Sequence, residues 1–100
     1  MDDYDKNDLT NSIEQCWENI KEIIRQEYLI TDVAYREWIE PLKYGGTTGN
    51  MVNIIIPHQS AHAGKYISTK YRLLFQKVFS DMNDRCCEVK FITEAEPNDA

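Results

Sequence analysis

Cysteine is scarce in this 100-residue chain, and the three it has, Cys16 and the adjacent Cys86-Cys87, stand neither at metal-binding spacings nor in an even disulfide framework. A reducing compartment is expected. Long apolar runs are missing too: no purely apolar stretch is longer than Ile54-Ile55-Ile56, far too short to span a bilayer. The start, Met1-Asp2-Asp3-Tyr4-Asp5, has no basic region and no apolar core of a secretory signal. These absences predict a soluble, cytoplasmic chain with no membrane partner. There is no G-x-x-x-x-G-K-[ST] phosphate loop, since Gly64-Lys65 is followed by Tyr66 and no glycine stands at the required earlier position. No Ser/His/Asp or Cys/His grouping suggests catalysis, and one domain of this size has little room for a pocket. The chain is therefore expected not to be an enzyme and to carry no cofactor. Arg85 beside Cys86-Cys87 would lower a thiol pKa, but one buried cysteine next to an exposed one is the simpler reading.

What is present is acid, unevenly placed. The net charge is −6, yet residues 1–10 hold four Asp and one Lys, and residues 93–100 hold Glu94, Glu96 and Asp99. The stretch between these acidic tails is neutral. Inside it, residues 11–42 carry seven acids against three bases, whereas residues 60–80 carry Lys65, Lys70, Arg72 and Lys77 with no acid. An acidic helical half beside a basic helix favours directional contacts with other proteins, and more weakly a stripe facing nucleic acid. Solvated faces of ordinary helices would look the same.

Apolar spacing divides the chain into elements. Ile13, Cys16, Trp17, Ile20, Ile23, Ile24 and Tyr28 recur every three or four residues, which predicts an amphipathic helix over about 12–27. Ser12 with Gln15, or Asn11 with Glu14, supplies its capping box. Thr31 and Asp32 offer the cap of a short second helix bearing Tyr35, Trp38, Ile39 and Leu42, and Pro41 stops it. Trp38 is expected in the core. Lys43-Tyr44, the turn-rich Gly45-Gly46-Thr47-Thr48-Gly49-Asn50 and the β-branched Met51–Ile56 predict a hairpin with a glycine-rich tip, ended by Pro57. From Ser60, the set Ala63, Tyr66, Ile67, Tyr71, Leu74, Phe75, Val78, Phe79 and Met82 predicts a long third helix broken by Asn83-Asp84. Residues 87–92 alternate as a third strand, with Cys87, Val89 and Phe91 on one face. The expected order is α-α-β-β-α-β, an α+β domain with three helices packed on a small three-stranded sheet. Its extent is 12–92, with an acidic tail at 1–11 and a second tail or start of a linker at 93–100.

This order, together with Trp17 in the first helix, Tyr35-Arg36-Glu37-Trp38-Ile39-Glu40-Pro41-Leu42 closing the second, Asn53-Ile54-Ile55-Ile56-Pro57 in the strand and Lys70-Tyr71 in the third helix, resembles the N-terminal domain (domain I) of the bacterial replication initiator DnaA. The resemblance covers roughly residues 12–92. It implies a KH-like, non-catalytic domain that recruits the replicative helicase, self-associates at the origin as a weak homodimer, and docks regulatory proteins of initiation. ATP would then be expected only in the separate ATPase domain of a full-length initiator, so the chain is either a fragment ending in a linker or a free-standing relative. Two departures bear on partner choice. Ala34 stands where some relatives have an acid implicated in helicase contact, leaving Asp32 or Glu37 to take that part. Between Pro57 and Lys70-Tyr71 the chain is about two residues longer than those relatives, so the equivalences of Gln59, Ser60 and His62 are ambiguous. The resemblance gives Tyr66 the place of an exposed aromatic at the partner-binding edge.

Each candidate has a plainer role beside the functional one. Trp17 lies on an apolar helix face and reads first as core, or as an anchor for self-association, because aromatic residues dominate interface energetics. His58 and His62 stand at i,i+4, a zinc-compatible spacing on one helix face, but Pro57 makes His58 a turn residue and no third ligand is near. With Gln59 they read better as a polar, partner-facing entry to the third helix. Tyr35 belongs to the second-helix signature. Lys65, Lys70, Arg72 and Lys77, interleaved with Tyr66 and Tyr71, would touch single-stranded DNA weakly by charge and stacking. The Tyr28–Asp32 connection nevertheless lacks the G-x-x-G loop of a nucleic-acid-binding KH module. The leading expectation is a protein-docking module of replication initiation; the alternative is a small single-strand-binding domain.

Overall fold

In the computed structural model, residues 13–84 and 86–94 are described. Helical residues at 13–15 lead across a break at Cys16 into α1, Trp17–Glu27, and bury Ile13, Trp17, Ile20 and Ile24 on one face. The expected helix is thus interrupted, since Cys16 caps α1 without a side-chain hydrogen bond. Asn11 and Ser12, its candidate caps, lie outside the described residues, as do residues 1–10 and 95–100 of the acidic tails and Arg85.

Helix α2 opens at Asp32–Ala34 and continues as a wider π-helical turn, Tyr35–Ile39. Thr31 is its cap: the hydroxyl accepts the Ala34 N–H at 3.1 Å. Glu40 N–H reaches back five residues to the Tyr35 carbonyl at 2.7 Å, and Pro41, with no N–H of its own, turns the chain. Two side chains from one face of α1 meet the carbonyls on either side of that proline. Trp17 Nε1 donates to the Leu42 carbonyl at 3.1 Å, and Lys21 Nζ donates to the Glu40 carbonyl at 2.8 Å. Lys21 is only 3% exposed and also lies 3.3 Å from Glu18.

The hairpin is longer than its glycines suggest. Strand β1, Lys43–Thr48, pairs antiparallel with β2, Met51–Ile56, and only Gly49-Asn50 remain as the turn. Gly45-Gly46 lie inside β1 as a bulge, since the register moves from Tyr44↔Ile54 to Thr47↔Val52. A Cβ on Gly45 would come within 2.9 Å of the Ile55 side chain, and Gly46 has φ +96°. Asn53 Nδ2 closes the bulge on the Gly46 carbonyl at 3.2 Å.

After Pro57 the chain makes a 3₁₀ segment, His58–Ala63, before α3, Gly64–Asn83, begins. The regular third helix therefore starts four residues later than Ser60. It ends at Asp84, which takes the left-handed conformation at φ +52° and donates its N–H to Ser80. Strand β3, Glu88–Thr93, lies parallel to β2, giving the order β1-β2-β3, with α3 as the crossover. Val52, Ile54, Ile56 and Val89 are buried toward the helices, while Met51, Asn53 and Ile55 on the other face are half-buried. The domain is α+β in the order α-α-β-β-α-β. Cys87 is buried and Cys86 exposed, the simpler of the two readings of that pair.

Aromatic packing places the centre of the core. Trp17 stacks on Phe75 and Phe79 at 5.8 and 6.5 Å between ring centroids and tilts against Tyr44 at 6.0 Å. Replacing Trp17 by Phe keeps a ring but leaves the Leu42 carbonyl without its donor. A loss of about 1–3 kcal/mol in a denaturant titration is expected. Leu29, after α1, has φ +53° and is 86% exposed, so Leu29→Gly should stabilise by about 1 kcal/mol in the same measurement.

Candidate functional site

The sequence places Trp38 in the core, but the structure puts it at the rim. The cause is local: Ile39 takes the buried position at the end of the π-helical turn, and Trp38, one residue earlier, is left half-buried. Its ring meets Tyr66 edge-on at 5.6 Å and His62 at 6.5 Å. Tyr66, 47% exposed at the first turn of α3, continues to Tyr71 in a perpendicular contact at 6.5 Å. Lys70 Nζ donates to the Tyr66 hydroxyl at 3.1 Å and lies 5.5 and 5.9 Å from the Tyr66 and Tyr71 ring centres. The result is a ladder of aromatic rings running from α2 onto α3, wet at one end and buried at the other. Single-turn π-helical irregularities are frequent at functional sites.

On the other side of α2, Arg25 reaches Asp32 at 2.5 Å and Glu22 at 3.6 Å, with its guanidinium 5.0 Å from the Tyr35 ring centre. The hydrogen bond to Asp32 raises the Arg25 pKa, and burial raises that of Tyr35. A shallow depression of about 180 Å³ lies among Arg25, Asp32, Tyr35, Arg36 and Glu40. These charges are exposed, so the pairs stabilise the fold little.

The expected site residues fall into separate groups. Trp17 is 8% exposed and packed in the core, with its indole N–H on the Leu42 carbonyl. Asp32 is engaged by Arg25, whereas Glu37 is exposed and has no ion pair among the described residues. Ala34 is half-buried and gives its N–H to Thr31. His58 is half-buried, with its N–H on Glu94 Oε1 at 3.2 Å, and Gln59 and His62 are exposed. Because the 3₁₀ segment turns every three residues, His58 and His62 stand about 120° apart around it instead of on one face. Among the described residues no group of three or more His, Cys, Asp or Glu side chains is placed to hold a metal ion.

The basic row divides in the same way. Lys70 belongs to the aromatic ladder and Lys77 bonds Asp81 at 3.3 Å one turn on. Lys65 and Arg72 line a groove of about 530 Å³ beside β3, joined there by Lys90. Sequence reasoning missed Lys90 and Lys21 in these roles. A lysine four residues after Trp17 on an otherwise apolar face was the available signal for Lys21; nothing in the alternation of β3 marked Lys90.

The class this geometry defines is a small α+β domain whose core is closed and whose candidate chemistry is all on the surface. No protein-family model matches the sequence. Individual relatives do: the chain is 24% identical over 86 residues to the chromosomal replication initiator protein DnaA of Lachnoclostridium phytofermentans, covering 84% of this chain and 19% of the relative. It is 26% identical over 89 residues to the DnaA of Citrifermentans bemidjiense, covering 88% and 19%, and 25% identical over 79 residues to that of a Geobacter species, covering 79% and 16%. This chain is a distant homologue of DnaA, over an extent consistent with its N-terminal domain. It spans about a fifth of the length of the curated relatives it matches.

Burial raises the pKa of Tyr71, and the hydrogen bond to Tyr66 raises that of Lys70. A raised folded pKa contributes stability that is complete below the unfolded value and lost as pH climbs through the folded one. Stability should therefore fall above about pH 10. Tyr71→Phe should flatten that decline in denaturation curves recorded between neutral and alkaline pH.

Proposed function

We propose that this domain is a non-catalytic protein-docking module of replication initiation, and that partners bind across α2 and the start of α3. The observation that carries the reading is the Trp38–Tyr66–His62 cluster. A tryptophan and a tyrosine from two elements are held edge-on and left partly open to solvent, which is the composition of an interface anchor. The homology to DnaA supports the setting: the replicative helicase and regulators of initiation are the partners the reading names.

Charge on this surface refines the assignment. Ala34 has no acid to offer, and Asp32 is already neutralised by Arg25, so Glu37 is the carboxylate left to meet a basic group on a partner. Its place one residue before Trp38 puts an exposed charge next to the aromatic anchor, an arrangement that steers encounter by charge and holds the complex by packing. Self-association would use exposed residues and not the Trp17 ring, which is spent in the core. No helix among the described residues is long and apolar enough to cross a membrane.

The experiment is titration of the purified domain with the replicative helicase of the same cell, with affinity read by calorimetry and association rate by stopped flow. Tyr66→Ala should weaken the complex about tenfold or more and Glu37→Ala should mainly slow association at low salt, both with unchanged circular dichroism. Absence of any complex with the helicase would remove the helicase role, and full affinity in Tyr66→Ala would remove the α2–α3 surface as its site.

A further inference from the structure

The groove beside β3 combines two independent features, a set of uncompensated cations and an unpaired strand edge. Its walls are α3 on one side, with Gly64, Lys65, Ser68 and Arg72, and Val89–Phe91 and Thr93 of β3 on the other. Among the described residues no Asp or Glu lines it. Neither Lys65, Arg72 nor Lys90 makes an ion pair among the described residues. Of the acids at the two ends of β3, Glu88 does not line the groove, and Glu94 is engaged by Lys43 at 3.5 Å and by the His58 N–H at 3.2 Å.

The strand edge follows from the ladder. Glu88 N–H bonds the Asn50 carbonyl and Glu94 N–H bonds the Ile56 carbonyl, both at 2.8 Å, so the even-numbered residues of β3 address β2. In a parallel pair the intervening residues face the other way. The N–H and C=O groups of Val89, Phe91 and Thr93 therefore point along the open edge, into the groove, and among the described residues β3 pairs with no second strand. A protected edge would be shortened, bulged or covered; this one is regular over all its residues, and the bulge of the sheet is on β1 instead.

We propose that this groove captures an extended acidic peptide of a partner protein, which adds to the sheet as a fourth strand against β3. Main-chain hydrogen bonds to Val89, Phe91 and Thr93 supply the attachment, and acidic side chains at alternate positions, on the face toward α3, meet Lys65 and Arg72. A single-stranded nucleic acid would satisfy the cations but not the row of backbone donors and acceptors, which is why the peptide is the better occupant. The site lies apart from the Trp38–Tyr66 surface, so it stands or falls independently of the helicase reading.

The test uses three probes on the whole chain: an acetylated, amidated decapeptide of alternating Thr and Glu, the same peptide with Lys in place of Glu, and a ten-nucleotide oligothymidylate. Binding is read by amide hydrogen exchange and by NMR shift perturbation. The Thr-Glu peptide should bind and slow exchange at Val89, Phe91 and Thr93, and the Thr-Lys peptide should not. The doubly reversed variant Lys65→Glu, Arg72→Glu, at two exposed positions of α3, should lose at least about tenfold in affinity for the acidic peptide while keeping its circular dichroism. Oligothymidylate occupying the groove where the peptide does not would make it a nucleic-acid site and overturn the proposal. So would peptide binding without protection of those three amides, equal binding of the Lys peptide, or no binding by any probe.

Discussion

The clasp of α1 on the two carbonyls that flank Pro41 is the contact on which the rest of the domain depends. A proline that ends a helix leaves carbonyls without partners, and buried unpaired carbonyls are costly. Trp17 and Lys21, one helical turn apart, supply the two donors. Because Trp17 also stacks on Phe75 and Phe79, the same side chain couples the end of α2 to the long helix α3. The position of α2, and with it of Trp38 and Glu37, is thereby referred to the core. At this depth Lys21 Nζ is received by the Glu40 carbonyl and by Glu18, and the Trp17 ring lies 5.8 Å away.

This arrangement assigns the two tryptophans opposite duties. One is core cement with a satisfied N–H, the other a half-open ring at the junction of two helices. The charged groups are sorted in a comparable way. Arg25, Lys43 and Lys77 are tied to carboxylates, Lys70 is tied to tyrosine, and Lys65 and Arg72 are left to face a groove. A row of basic residues that looks continuous along the sequence is thus divided by helix geometry between two surfaces with different neighbours.

Much of the fold was legible from spacing alone, because burial of one helical face or one strand face leaves a period in the sequence. The faces of α1 and α3, the stop at Pro41, the Thr31 cap, the Asn83-Asp84 break and the alternation of β3 all appear where that logic puts them. The errors have physical causes. Gly45-Gly46 were assigned to a turn because glycine marks both turns and bulges, and only the pairing register separates the two. Trp38 was placed inside because a large apolar residue beside Ile39 has no periodic signal to say which of the two is buried, once a π-helical turn changes the angle per residue. The groove was invisible because it needs Val89, Phe91 and Thr93 of β3 beside Lys65 and Arg72 of α3, residues brought together only by the parallel crossover. The domain limits and the partner roles lie beyond what periodicity can address.

That parallel crossover also sets an order of assembly. The hairpin β1–β2 closes over a two-residue turn, a local event with little loop entropy to overcome. Strand β3 can dock on β2 only after the chain between Ile56 and Glu88 has folded back on itself, most of it as α3. Parallel pairing of this kind is intrinsically late and slow. The last strand to join is then also the first whose departure would leave Phe75 exposed, through loss of its ring contact with Phe91 at 6.2 Å. Kinetic persistence of the folded domain is therefore governed by the β3 end of the molecule, whose Phe91 reaches the clasp at Pro41 through Phe75 and Trp17.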